Sequence, residues 1–220
     1  MNALYHRQIT ASALHKHLPA SILEIVIQAN LHQDDLKYLL GAYPHYHFDD
    51  NAFARTSAYL EEQRQLIFDT LSQGRPHPAW VAFGKITHTL QDFYAHSTYV
   101  SLWRARFPQD AWPDPETIEP LLPELMTHPR LMTGRVILLF EILGLLPLLG
   151  RFLHPLFPAD THIRMNLDHP KTGPLFPYAI IAARKRTEVE FQDLTQQIRV
   201  RLTPLILQKF LTAPQPSSGE

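Results

Sequence analysis

The chain has 220 residues, which is enough to bury the core of one domain or of two small ones. It has no cysteine, so a disulfide framework, a thiolate zinc site and a cysteine nucleophile are excluded. Twenty basic and 21 acidic residues give a formal net charge of -1, so the protein as a whole attracts neither nucleic acid nor an anionic membrane. The 13 histidines are the unusual feature of this composition.

The first 40 residues predict two helices, because apolar residues recur at helical spacing over residues 4–14 and 22–27. Pro19 is expected to separate these helices, and Ser21 is expected to cap the second. Residues 41–51, GAYPHYHFDDN, contain the Gly, Pro, Asn and Asp that are typical of a loop.

Three longer helices are predicted in the rest of the chain. Alanine, leucine and alternating charges predict a third helix over residues 51–71, a fourth over 78–103 and a final one over 176–210. No segment alternates between apolar and polar residues, so no sheet is expected. The sequence therefore predicts an all-α, single-domain helical bundle over residues 1–213, followed by a disordered tail at 214–220.

Two features bear on location and on membranes. The N-terminus, MNALYHRQIT, lacks the pattern of a signal peptide, so we predict a cytoplasmic location. Twelve of the 19 prolines lie in a loop-rich insertion, residues 104–177, which includes an apolar run at 136–150 interrupted only by Glu141 and Pro147. Fifteen residues are too few to cross a bilayer, which favours a buried core helix. The alternative is an apolar lid that gives the protein peripheral contact with a membrane.

The clearest candidate site lies in the predicted fourth helix, in GKITHTLQDFYAHSTYV. His88, Asp92 and His96 are four residues apart, and each step of four turns only ~40° around a helix, so the three side chains share one stripe. Apolar neighbours would exclude water from this stripe, as a metal site requires. The alternative interpretation is a polar stripe, with Gln91 and Ser97, on a solvated face.

Further candidate ligands lie outside that helix. The loop sequence HYHFDD brings together His45, His47, Asp49 and Asp50, where the alternative is an exposed turn in which Asp50 caps the third helix. A third group consists of His6 on the first helix and Asp34 beyond the second. The remaining histidines are interpreted as ordinary loop or surface residues: His15, His17, His32, His77, His128 and His154.

The ligand types indicate a reaction class. Imidazole and carboxylate without thiolate suit zinc, iron or manganese, and a carboxylate between two histidines on one helix, as Asp92 is, could bridge two ions. Two ions about 3.5 to 4 Å apart are suited to phosphate ester hydrolysis, because one generates hydroxide near neutral pH and the other stabilises the leaving oxygen. Phosphate ester hydrolysis is therefore the favoured class.

Four segments of the chain resemble a known superfamily: LYHRQITASAL, ANLHQDD, HYHFDD and GKITHTLQDFYAHSTYV. They are similar to the all-helical superfamily of bacterial zinc phospholipase C and the single-strand-specific zinc nucleases, and closest to its Het-C-like branch. The resemblance covers residues 5–103 and implies a cluster of three zinc ions in which Asp92 is the bridging, catalytic carboxylate. The metal ligands that it implies are His6, Asp34, His47, His88, Asp92 and His96.

The sequence departs from that superfamily in two places. An N-terminal tryptophan, whose amino group and carbonyl hold one ion in the superfamily, is replaced by five other residues before His6. In the expected HxxxE motif, Arg186 stands where histidine belongs and Glu190 where the carboxylate belongs. Arginine stays protonated and cannot bind a metal, but it can bind a phosphate oxygen of the substrate. The substitutes considered for the missing ligand are His162, Asp168 and His169, and one to three zinc ions are expected.

Two function hypotheses remain. The first is a zinc-dependent, phospholipase C-like hydrolase of phosphate esters, with phospholipid as one candidate substrate and nucleic acid less favoured because the net charge is near zero. The alternative is a catalytically degenerate helical protein that keeps a metal ion for stability and binds a membrane or a protein partner. A metal phosphohydrolase of the histidine–aspartate type is not favoured, because the adjacent His-Asp pair that defines it does not occur in this chain.

Overall fold

A computed structural model describes residues 1–35, 43–144, 146 and 152–213 of the protein. The all-α prediction is confirmed, because within these residues the chain forms helices and no strand. The helices are α1 Ala3–Leu14, α2 Ala20–Leu31, α3 Phe53–Ser72, α4 Pro76–His96, α5 Tyr99–Arg104, α6 Pro123–Met126, α7 Leu138–Gly144, α8 His162–Met165, α9 Phe176–Arg201 and α10 Pro204–Leu211.

Helix α4 is the central element of the fold, and it packs against α2, α3 and α9. Nearly all of its residues from Ala79 to His96 are buried, because three other helices pack around it. One apolar cluster surrounds most of α4. A second cluster surrounds the C-terminal end of α4 and helix α5, which follows it. At Gly84 a Cβ atom would lie 2.3 Å from the carbonyl oxygen of Val26, so the α2–α4 contact requires glycine there.

Two predicted helices are each divided in two. The fourth breaks at Ser97, which is extended and bridges to Thr133, while the backbone N–H of Thr98 donates to the carbonyl of Met132. The final helix breaks after Arg201, and Thr203 caps α10 by accepting a hydrogen bond from the N–H of Ile206. The connections that force the first break come from a distant loop, which periodicity cannot reveal.

Two predicted helix caps are wrong. Helix α2 begins at Ala20, directly after Pro19, so Ser21 lies inside the helix rather than at its cap. The residue before α3 is Ala52, and the side chain of Asp50 instead accepts a hydrogen bond from the backbone N–H of Val136. The part of the second predicted helix at 36–40 and the start of the predicted loop at 41–42 lie outside the described residues.

The described part of the apolar run, residues 136–144 and 146, is not a buried core helix, so the prediction is wrong there. Within the run, α7 is short and its side chains at Leu138, Leu139 and Ile142 are more than half exposed. Phe152 and Leu156 beyond it are about three-quarters exposed. The described helices include none with the length and hydrophobicity needed to span a bilayer. Residues 145 and 147–151 and the predicted tail at 214–220 lie outside the described residues.

Candidate metal centre

The three stripe residues of α4, His88, Asp92 and His96, are buried. Four histidine side chains surround the carboxylate of Asp92. One oxygen of this carboxylate, Oδ2, lies 2.9 Å from Nδ1 of His47 and 2.9 Å from Nε2 of His88. The other oxygen, Oδ1, lies 3.1 Å from Nε2 of His6 and 3.9 Å from Nε2 of His96. The interpretation of this stripe as a solvated face is therefore wrong, since Gln91 and Ser97 are buried as well.

Four residues form the first group, and their spacing fits one metal ion: Asp34, His47, His88 and Asp92. Nδ1 of His47 lies 3.1 Å from Nε2 of His88. Oδ1 of Asp34 lies 3.9 and 3.6 Å from these two nitrogens. Ligands bound tetrahedrally to zinc at ~2.1 Å would be about 3.4 Å apart, so the separations of the ligand atoms bracket that value.

Hydrogen bonding orients His6 towards this group. Nδ1 of His6 lies 2.7 Å from Oε1 of Gln91, and Gln91 Oε1 also accepts a hydrogen bond from Asn30. The amide of Gln91 donates to the hydroxyls of Thr10 and Thr187, which fixes its orientation. With the proton on Nδ1, Nε2 of His6 carries a lone pair, and this buried atom has no hydrogen-bond partner. Such an orphaned nitrogen beside a carboxylate fits a metal ligand.

A second group forms around His96, and it consists of Asp49, His96 and His162. Nδ1 of His96 lies 3.4 Å from Oδ1 of Asp49, and its Nε2 lies 3.4 Å from Nε2 of His162. Asp168 lies 3.1 Å from the same Nε2, while Glu141 lies 3.3 Å from Nδ1 of His162. His162 and Asp168, considered as substitutes for the missing ligand, are thus brought to His96.

Backbone contacts of one short loop bring the second group together. The N–H of Gly134 donates to the carbonyl of His96, and the N–H of His162 donates to the carbonyl of Arg135. The N–H of Asp50 donates to the carbonyl of Gly134, which ties the HYHFDD loop to the same segment. A Cβ atom at Gly134 would lie 2.5 Å from Cα of His162, so glycine is required for this close approach.

The amino group of Met1 also lies in the cluster. It is 2.7 Å from Oδ1 of Asp92, 2.9 Å from Oδ1 of Asp168 and 3.1 Å from Nε2 of His96. Burial lowers the pKa of this amino group, but Asp168, Asp92 and Asp34 together raise it to about 11. The amino group is therefore protonated and forms buried ion pairs with two carboxylates.

The two groups differ in protonation. Burial lowers the pKa of His88 to about 4 in spite of the Asp92 charge, so this imidazole is neutral at pH 7. Burial would raise the pKa of Asp92, but the Met1 amino group and three histidines hold it well below its usual range. For His96, burial and the Met1 charge are outweighed by Asp92, Asp168 and Asp49, which raise its pKa well above the usual value. His88 and Asp92 of the first group thus already have the protonation states that metal binding needs.

Several predicted residues lie outside both groups. Arg186 donates to Glu190, which also accepts from Arg64, and both arginines line a separate cavity of about 230 Å³. Phosphate binding by Arg186 stays a prediction. His45 contacts Arg55, and His169 caps a short turn. Five of the six histidines interpreted as ordinary have described side chains, and these five are in neither group: His15, His17, His32, His77 and His128.

Sequence reasoning gave Glu141 no role at the site and named Asp49 only as one of four candidate ligands in the HYHFDD loop. Asp49 was visible in the HYHFDD loop, but nothing distinguished it from its neighbour Asp50. Glu141 is the single charge in a run of apolar residues. A lone carboxylate in a run predicted to be buried was the signal, because a buried charge needs a polar partner.

The fold and the two buried groups define an all-helical protein with histidine–aspartate clusters that could hold a metal ion. The chain belongs to the VWA7 N-terminal domain family, whose model matches residues 1–119. These residues include every member of the first group. No curated protein and no solved structure matches the chain.

Proposed function

We propose that this protein is a zinc-dependent hydrolase of phosphate esters, in which the first group holds one zinc ion and the second group holds another. The observation that carries the proposal is the position of Asp92, whose two oxygens face different sets of histidines. A carboxylate in this position can bridge two ions, which is the arrangement that phosphate ester hydrolysis uses.

The residues around Asp92 would either bind an ion or orient a ligand. Asp34, His47 and His88 would complete one ion's ligands with Asp92, while His6 would approach from the other side of that carboxylate. Bound zinc supplies a Lewis acid and makes hydroxide available near pH 7. Gln91 keeps Nε2 of His6 available, and burial keeps His88 neutral. The second group would bind its ion with proton release, because the pKa of His96 is raised and the Met1 ammonium beside Asp92 and His96 would have to lose its proton or move away.

The exposed apolar side chains favour a phospholipid over a nucleic acid as substrate. Glu141 of α7 turns towards His162 of the second group, while Leu138, Leu139 and Ile142 of the same helix face solvent. An apolar surface therefore borders the cluster and could contact the lipid around a phosphate ester. Peripheral membrane contact through residues 136–150 and a cytoplasmic location are parts of this proposal.

A second candidate function is a structural metal site in a protein without hydrolytic activity. It is favoured by the first group, which offers four ligands to one ion, since four protein ligands leave no open position for substrate. In that case zinc would stabilise the fold, and the apolar surface would bind a membrane or a protein partner.

Hydrolysis measured with and without metal distinguishes the two candidates. We expect the zinc-loaded protein to hydrolyse bis(p-nitrophenyl) phosphate and short-chain phosphatidylcholine, and a chelator to abolish both activities. Asp92→Asn, which keeps the shape of the side chain, should lower kcat/KM by about 100-fold or more. His77→Ala is the matched control, because His77 is exposed and outside both groups. A folded, zinc-loaded protein that hydrolyses neither substrate would favour the structural role.

A further inference from the structure

A second cavity of the molecule is separate from the metal-ligand groups. It has a volume of about 540 Å³, within the range of small-molecule binding sites. Its walls come from the end of α5, the loop after it and residues 167–175, and they include Arg104, Trp112, Leu167 and Leu175. Most of this lining is apolar, and Arg104 supplies the charged group.

The guanidinium of Arg104 is buried without a carboxylate partner. The residue exposes 9% of its surface, and no carboxylate lies within ion-pair distance of it in the described parts of the chain. Its two terminal nitrogens donate to the backbone carbonyls of Phe107 and Gln109. Its Nε is buried and has no hydrogen-bond partner. The ring of Trp112 lies 4.3 Å from the guanidinium carbon, so one face of the cation is covered by an aromatic side chain.

These contacts leave the positive charge only partly compensated. The two carbonyls accept from two of the five guanidinium N–H groups, the aromatic ring covers one face, and the buried Nε–H remains without an acceptor. A buried donor without a partner costs free energy, and a buried charge costs more unless an opposite charge is near. An oxyanion in the cavity would supply the opposite charge that the guanidinium lacks, because guanidinium pairs well with carboxylate and phosphate oxygens.

We propose that this cavity binds a small amphiphilic oxyanion, with its phosphate or carboxylate group at Arg104 and its apolar body against Leu167 and Leu175. The apolar lining explains why the body should be hydrocarbon, and the buried cation explains why the head should be anionic. The cavity lies close to the metal cluster, because Leu167 precedes Asp168, which contacts His96. The inference does not depend on hydrolysis, since the cavity contains none of the proposed metal ligands.

Binding of three hexyl compounds tests the proposal. Hexyl phosphate, hexanoate and hexanol share one apolar body and differ in the head, so titration calorimetry and tryptophan fluorescence would separate the contributions of charge and hydrocarbon. We expect one or both anions to bind the wild-type protein at least about tenfold more tightly than hexanol, because hydrogen bonds to charged groups are the stronger ones. Whichever anion binds more tightly identifies the head group.

Two variants locate the binding. Arg104→Gln should weaken anion binding at least about tenfold and leave hexanol binding unchanged. Since Arg104 also holds the following loop, Ala105→Phe provides a second test: Ala105 is an exposed wall residue, and phenylalanine would fill the cavity with Arg104 kept. His88→Ala should not alter anion binding in the cavity, which separates this site from the metal cluster. Equal binding of the anions and hexanol, or anion binding that survives Ala105→Phe, would overturn the proposal.

Discussion

Gln91 illustrates how a residue outside the candidate ligand set can determine the chemistry of a candidate ligand, His6. Its Oε1 lies at hydrogen-bond distance from Nδ1 of His6, and two threonine hydroxyls hold its amide in place. Polar partners of this kind fix the tautomer and the ring orientation of a metal-binding histidine. The ring of His6 also stacks on that of His88 at 4.2 Å, so a rotation of His6 would disturb the first group directly.

We therefore predict that Gln91→Met weakens zinc binding while the protein remains folded. The apparent zinc affinity should fall by about tenfold or more, because His6 loses the acceptor that fixes its tautomer. Competition with a chromophoric chelator would measure the change. Gln192→Met is the control, since Gln192 is exposed on α9. An unchanged affinity in folded Gln91→Met protein would show that Gln91 does not orient a ligand.

Glu190 contributes to stability through two arginines rather than through a metal. Burial would raise its pKa, but hydrogen bonds and charges from Arg64 and Arg186 hold the pKa below its usual value of 4.5. The folded-state pKa is therefore lower than the unfolded-state pKa, so the stabilisation is complete above about pH 4.5 and is lost as the pH falls through the folded-state value.

We predict that Glu190→Gln lowers the free energy of unfolding by about 2 kcal/mol at pH 7, because two buried or half-buried arginines lose their counter-charge. Urea denaturation from pH 7 to pH 3 would measure this difference. The difference between the wild type and the variant should shrink below about pH 4.5, as Glu190 of the wild type becomes protonated. A difference that stays constant or grows on acidification would contradict this assignment.

At the residue scale, residue spacing predicted which helix side chains lie together, but it could not do so for loop side chains. The stripe of His88, Asp92 and His96 follows from helical geometry, so the spacing alone placed these side chains together. Asp168 and His162 were named only as substitutes for the missing ligand. Loop backbones have no fixed period, so residue number does not predict the direction in which a loop side chain points. Their convergence depends on the contacts of Gly134, which are long-range in sequence.

At the element scale, the position of the site depends on how closely α2 approaches α4. Helix α2 leads into the turn that carries Asp34, and α4 carries His88 and Asp92. The closest approach is at Gly84, where a Cβ atom would lie 2.3 Å from the backbone oxygen of Val26 and 2.7 Å from Cβ of Ala29. The spacing between these two helices therefore sets the distance from Asp34 to His88 and Asp92.

We predict that Gly84→Ala destabilises the protein, although alanine favours an exposed helix by about 1 kcal/mol over glycine. The steric conflict is with backbone atoms, which cannot move aside without separating the helices, so the loss should be about 2 kcal/mol or more. Thermal unfolding would measure it. Gly74 is the comparison, because it has a positive φ of 71° and open space around its Cβ position, so Gly74→Ala should cost only about 1 kcal/mol. Equal or smaller losses at Gly84 would contradict tight α2–α4 packing.

Element types were predicted well, and element ends were not. Apolar periodicity predicted the pairs of helices before and after the first loop, but it extended the fourth helix through Ser97 and the final helix through Leu202. Each break arises from contacts or backbone angles that a periodic pattern does not record. The apolar run at 136–150 was interpreted as core because length and hydrophobicity were the only available signals.

At the scale of the whole molecule, the apolar surface formed by α7 and residues 152–156 is the feature that stability does not explain. Leu139, Phe152 and Leu156 are each more than 60% exposed, and Glu141 is turned inwards. Exposed apolar patches on soluble proteins often mark contacts with membranes or partners. The patch borders the second group, so a membrane bound there would lie beside the candidate metal centre.

We predict that the protein sediments with phosphatidylcholine vesicles, and that Leu139→Ser combined with Phe152→Ser lowers the vesicle-bound fraction by about tenfold. Two large apolar side chains would no longer enter the lipid interface. Val200→Ser is the matched control, because Val200 is equally exposed but lies on α9. Vesicle binding that is absent from the wild type, or that is unaffected by the double variant, would exclude lipid contact through this surface.

The central claim is that the buried histidine–aspartate groups bind zinc, and the zinc content per chain tests it most directly. Elemental analysis should be made on the wild type, His88→Ala and His77→Ala after exposure to zinc and removal of the excess. We predict at least one zinc ion per chain in the wild type and in His77→Ala, and a loss of at least one ion in folded His88→Ala. A wild-type protein that acquires no zinc, or a His88→Ala protein that retains the full wild-type content, would contradict the claim.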